Sequence, residues 1–190
     1  METVRTFIAL EFDTTIKETI ERIQNQLKKT GCDVKWVKAK DVHLTLKFLG
    51  DVSHHKMDSI IKVIEATAAS NHAYTIELTH LGAFPNLLHP KVISLGIQSG
   101  KEETKKIVSS LEEQLEKIGF KKEHRDFDPH VTIGRVRSAM NCFALMEAIK
   151  KFGLPARMNQ GVTSLHLVKS TLTPQGPIYE PLAKAELIDV

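Results

Sequence analysis

The tetrapeptide His43-Leu44-Thr45-Leu46 recurs 87 residues later as His130-Val131-Thr132-Ile133. This recurrence constrains the fold more than any other feature, because each copy alternates polar and apolar residues as a half-buried strand does. The same shift carries Ile8 onto Leu95, the first helical segment onto the third, and Leu78 onto Leu165. Gly31 precedes His43 by 12 residues and Gly119 precedes His130 by 11, while Ser53 and Asn141 follow their motifs by 10 and 11. Motif, element order and caps repeat together. They predict two similar lobes about an approximate two-fold axis, within one unit covering residues 1–190. No linker rich in Pro, Gly or Ser divides the halves.

Four segments carry helical periodicity. Ile16, Ile20, Ile23 and Leu27 share a face, with Thr15 and Glu18 suited to a capping box and Gly31 to a stop. Ser53 is placed to cap a second helix that turns Met57, Ile60, Ile61 and Ile64 inward. Ser99 and Glu102 form the box for a third, whose stripe is Ile107, Val108, Leu111, Leu115 and Ile118 and whose end is Gly119. The fourth starts near Asn141, packs Leu145, Met146 and Ile149, and ends at Gly153. Strand-like runs cover 4–12, 34–37, 42–49, 74–81, 92–97, 130–136, 162–168 and 178–187. The expected class is α+β: two pseudo-symmetric lobes, each an antiparallel-rich sheet backed by helices, with a central cleft.

A net charge of +3, from 26 basic and 23 acidic residues, is too small for a coat or scaffold of long nucleic acid. No apolar run reaches the ~20 residues of a membrane-spanning helix, and the run Phe7–Leu10 is too short for a signal peptide. Cys32 and Cys142 lie far apart with no C-x-x-C, which argues against a disulfide framework and a cysteine zinc site. The other histidines are scattered without an H-E-x-x-H set, and no glycine-rich phosphate loop is present. The expectation is a cytoplasmic monomer that uses neither metal nor cofactor and has no membrane partner.

Residues i and i+2 of a strand share a face about 7 Å apart, so His43 points with Thr45 and His130 with Thr132. Imidazole exchanges protons near neutral pH, and a threonine hydroxyl donates to an anionic oxygen. If the two copies face one cleft, the arrangement suits a phosphodiester held between a base and an acid, with the threonines on its non-bridging oxygens. Two hydrogen bonds plus an in-line phosphoryl group put the facing nitrogens roughly 6–9 Å apart. Lys47 shares the parity of His43 and Thr45, which places it to line the cleft, with a solvated lysine as the favoured reading. Phe48 has the apolar parity and reads as core, while Phe84 and Phe127 lie in loop-like segments as candidate stacking residues. Arg135 has the opposite parity, open to phosphate contact or a surface ion pair. Lys169, Ser170 and Tyr179 flank a turn rich in Pro and Gly. They join Arg135 as candidate substrate-binding residues, a structural turn being the other reading.

The run from His43 to Gly50 resembles the first signature of the two-histidine (2H) phosphoesterase superfamily, and the run from Pro129 to Arg135 resembles the second. The segment from Ser170 to Tyr179 and the opening Arg5–Leu10 are similar to one branch, the RNA 2′,3′-cyclic phosphodiesterases, historically called 2′-5′ RNA ligases. The resemblance implies a metal-free enzyme with a bilobal fold, in which His43 is the donor to the leaving 3′ oxygen and His130 the base that activates water. It implies RNA ends bearing a 2′,3′-cyclic phosphate as partners, tRNA fragments among them, and a reverse 2′-5′ ligation. The residues alone leave the two histidine roles interchangeable. A small cyclic nucleotide or 2′-5′ oligonucleotide as substrate, a non-catalytic RNA-binding protein and a histidine metalloprotein are the alternatives.

Overall fold

The computed structural model describes residues 2–154 and 158–189. Its elements follow in the order β1 (Thr3–Glu11), α1 (Thr14–Lys28), β2 (Val34–Trp36), β3 (His43–Ser53), α2 (Met57–Ala68), β4 (Tyr74–Phe84), β5 (Val92–Ile97), α3 (Lys101–Lys117), β6 (His130–Val136), α4 (Cys142–Lys151), β7 (Met158–Val162), β8 (Ser164–Thr173) and β9 (Gly176–Glu186). The strands form two antiparallel sheets, one in the order β3-β1-β8-β9 and the other β2-β6-β5-β4-β7. The fold is α+β, as the alternating runs and amphipathic helices predict.

The halves of the chain are interwoven. β4 belongs to the first half in sequence but lies beside β5, and β8 belongs to the second half but lies beside β1. The helices cross over as well: α2 and α3 back the four-stranded sheet, whereas α1 and α4 back the five-stranded one. Gln24 on α1 shows the tie directly, its amide donating to the Val37 and Ile133 carbonyls at 2.7 and 2.9 Å. One continuous apolar cluster therefore joins both sheets, from Ile8, Leu10 and Leu44 through Ile60, Leu111 and Leu115 to Leu95, Val131 and Ile149. Burying these side chains contributes about 1.5–3 kcal/mol each.

The helix starts differ from their sequence-based expectations. Asp13, not Thr15, caps α1, its carboxylate accepting from the Ile16 N–H at 2.8 Å, because the strand already ends at Glu11. Ser53 caps no helix through its side chain, since a 3₁₀ turn at His54–Lys56 intervenes before α2. α3 begins after Gly100 at φ +76, where a Cβ would stand 2.5 Å from the Thr75 carbonyl; close approach replaces the Ser99 box. The predicted strand 162–168 is two strands. Val162 pairs with Tyr74 in one sheet and Ser164 with Glu186 in the other, so the chain changes sheets at Thr163.

Candidate active site

β3 is the edge of its sheet and approaches β6 of the other, and the cleft between them is a cavity of about 570 Å³. His43, Thr45, His130 and Thr132 all line it. Each histidine opens its strand, and each makes the same local bond. Nδ1 of His43 lies 2.8 Å from the Asp41 carbonyl, and Nδ1 of His130 lies 2.8 Å from the Asp128 carbonyl. A carbonyl oxygen only accepts, so Nδ1 carries hydrogen in both rings and Nε2 is the atom left to exchange protons.

The two strands share a β-bulge. Ala9 pairs with Thr45 and Ile8 with Lys47, which leaves Leu46 unopposed. Ser94 pairs with Thr132 and Ile93 with Gly134, which leaves Ile133 unopposed. An extra residue reverses the parity beyond it. Lys47 is consequently turned inward and buried, donating to both Glu112 carboxylate oxygens at 2.7 and 2.8 Å and to the Lys121 carbonyl at 2.8 Å. Phe48 is turned out, 57% exposed and lining the cavity. Lys47 still contributes to the cavity lining but is not solvated, and Phe48 is not core, so both depart from the simple alternation. The same bulge brings Arg135 to the cavity without any reach around an edge. Phe48 and Arg135 thus hold equivalent places beside the two histidines, an aromatic ring in one and a guanidinium in the other.

Register also corrects the repeat. The histidine strands stand 87 residues apart, but Ala9 answers to Ser94, an offset of 85, so Ile8 matches Ile93 and not Leu95. His166 opposite Ala9 answers to Gly82 opposite Ser94, an offset of 84 that also displaces the Leu78–Leu165 match.

The surroundings of the histidines differ. Phe7 stacks on His43 at 4.7 Å and Tyr179 meets it edge-on at 5.2 Å. Burial is the main cause that pushes the His43 imidazolium below its ordinary pKa, with a smaller push from Lys17. The bond to the Asp41 carbonyl and the charges of Glu11 and Asp41 act the other way. His130 has one aromatic neighbour, Phe84, at 4.9 Å. Tyr179 sits in a small apolar floor with Phe7, Ala9 and Val168, and burial raises its phenol.

Phe84 and Phe127 line the cavity. Lys169 does not. It pairs with Glu180 at 2.8 Å and lines a separate hollow with Val4 and His54, while its neighbour Val168 packs with Phe7, Ala9 and Tyr179. Ser170 stands opposite Tyr179 in the ladder, yet the cavity wall here is made by Tyr179, Pro177, Gly176 and Gln175. Trp36, Lys38 and Arg125 also line the cavity and escaped the sequence reading. Trp36 had a signal: it is the single tryptophan, and its ring lies against Gly134, where an added Cβ would stand 3.0 Å from Cε3. Among the described residues no cluster of three His, Cys, Asp or Glu is arranged to hold a metal ion, and no helix is long and apolar enough to cross a membrane.

A family model described as LigT like Phosphoesterase matches the chain twice, over residues 10–94 and 95–179. A protein of Methanothermobacter thermautotrophicus named RNA 2′,3′-cyclic phosphodiesterase is 35% identical over 93% of this chain and 95% of its own length. One of the same name from Methanocaldococcus jannaschii is 36% identical over 93% and 97%. The fold matches E. coli LigT complexed with 3′-AMP at a TM-score of 0.82 and 24% identity, covering 98% of this chain and 99% of that one.

Proposed function

This chain belongs to the LigT-like phosphoesterase family, and we propose that it hydrolyses the 2′,3′-cyclic phosphate at RNA ends to a 2′-phosphomonoester. The observation that carries the reading is the pair of rings tied alike through Nδ1, each with Nε2 free, on the wall of one cavity. A volume near 570 Å³ accommodates a terminal nucleotide.

In the proposed step, water forms a bond to phosphorus as the bond from phosphorus to the 3′ oxygen breaks. His130 Nε2 takes the proton of the attacking water, and protonated His43 gives its Nε2 proton to the departing oxygen. Thr45 and Thr132 donate to the non-bridging oxygens, and Arg135 offsets their charge. Neither half-site is complete alone, so residues 1–190 act as one bilobal unit. With a 5′-hydroxyl in place of water, the same displacement of the 3′ oxygen forms a 2′-5′ linkage.

Incubation with an oligoribonucleotide ending in a 2′,3′-cyclic phosphate is expected to give only the 2′-phosphate product, while a deoxyribose end carrying a 3′-phosphate stays unchanged for want of a 2′ oxygen. A 3′-phosphate product would reject the assignment of the leaving oxygen. An unaltered cyclic end would reject the activity.

The enclosure of His43 sets the pH dependence. Its charged form, the donor, is lost as pH rises through a value below 6.5, so the descending limb of kcat/KM lies below 6.5. A bound phosphate anion stabilises the imidazolium, and the limb of kcat therefore moves to higher pH. The kcat/KM profile of the purified enzyme checks this. A rise with pH through the same value would exchange the two histidine roles.

A further inference from the structure

The two cysteines, separated by 110 positions, meet in the fold with their sulfurs 3.4 Å apart. A separation of this length carries no sign of the contact: Cys32 follows the end of α1 and Cys142 is the first residue of α4. Their backbones are already tied on both sides. The Asn141 side-chain amide donates to the Gly31 carbonyl at 3.2 Å, and the Arg137 N–H donates to the Asp33 carbonyl at 2.8 Å. A disulfide needs the sulfurs at about 2.05 Å, a closing of about 1.3 Å.

We infer that Cys32 and Cys142 are an oxidative modification site, joined in an intramolecular disulfide when a peroxide reaches Cys142. The pair is asymmetric. Cys32 is buried and Cys142 is partly exposed. Burial, then the bond to Cys142 and the charges of Cys142 and Asp33, push the Cys32 thiol up to about 12. Cys32 therefore keeps its proton at neutral pH, and Cys142 is the sulfur that a dissolved oxidant meets first.

The chemistry closes without any group beyond the peroxide. The Cys142 sulfur, whose thiol hydrogen points at the Ser138 carbonyl at 3.3 Å, attacks one peroxide oxygen; an S–O bond forms as the O–O bond breaks, and the thiol proton goes to the released hydroxide to make water. Sulfur is oxidised to sulfenic acid and the peroxide is reduced. The Cys32 sulfur then attacks the Cys142 sulfur, an S–S bond forms as the S–O bond breaks, and the leaving hydroxide takes the Cys32 proton as a second water. The link closes a loop of 110 residues, which restricts the unfolded chain and leaves the folded one almost unchanged.

The test is treatment of the purified, reduced protein with a few equivalents of hydrogen peroxide. Both thiols should disappear together, non-reducing peptide mass spectrometry should find Cys32 joined to Cys142, and Tm should rise on the order of 10 °C, returning with dithiothreitol. C142S should show neither the linked peptide nor the rise. In C32S the Cys142 sulfenic acid should persist and be trapped by dimedone, an arm that stands even if C142S folds poorly. Oxidation of Cys142 alone with Cys32 still titratable, disulfide-linked dimers, or two unreacted thiols would each overturn the inference.

Discussion

Alanine at His43 or at His130 is expected to lower turnover of a 2′,3′-cyclic phosphate end by about 10²–10⁴-fold, with Tm and circular dichroism close to those of the parent. The size follows from the proposed division of labour: one ring removes a proton from water and the other supplies one to the 3′ oxygen, so neither compensates for its partner. The double variant should be little worse than either single one, because residues acting as a unit are strongly non-additive. Folding should survive, since both rings are only half-buried at strand starts and their Nδ1 bonds go to carbonyls within their own loops. His43 carries one further burden, because removing it uncovers the face of Phe7 and the contact with Tyr179. A folded single variant with parental turnover would remove that histidine from the reaction.

Replacing Thr45 or Thr132 by valine should cost about 10²–10³-fold in kcat with a small change in KM, the loss typical of one hydrogen-bond donor aimed at developing negative charge. Valine keeps the β-branch and the strand, so only the hydroxyl is lost. The comparison with serine is the sharper check. Serine restores the donor, and turnover should recover by at least an order of magnitude over valine at the same position. Valine and serine variants with equal rates would mean that the hydroxyl serves the strand and not the phosphate.

Much of the site was legible because strand alternation is a local property. The identity of His43, Thr45, His130 and Thr132 as face-sharing pairs needs nothing beyond a period of two, and the cavity holds all four. The same rule failed one residue past each threonine. Leu46 and Ile133 are unopposed in their ladders; Gly134 follows the second, but no glycine or proline stands beside the first. A bulge is decided by the partner strand. Lys47 therefore read as solvated when it holds Glu112 and the Lys121 carbonyl, and Phe48 read as core when it faces the cavity. Lys169 read as a site residue from its nearness to the closing turn, but which face it takes depends on where β8 sits against β1.

What the sequence by itself determined is the set of short-range features: the two H-x-T-x strands, the apolar stripes of four helices, the left-handed glycines Gly31 and Gly119 after α1 and α3, and a resemblance precise enough to name a chemistry. These depend on residues within a few positions of one another. Tertiary structure alone decided the exchange of β4 and β8 between sheets, the crossing of α1 and α3 to the opposite sheet, and the place of Trp36 against Gly134. It also brought two cysteines 110 positions apart to within 3.4 Å. Such pairings are chosen by the burial of whole faces. A strand or helix with one apolar face is satisfied by any complementary surface, and only packing of the complete chain selects which one it meets.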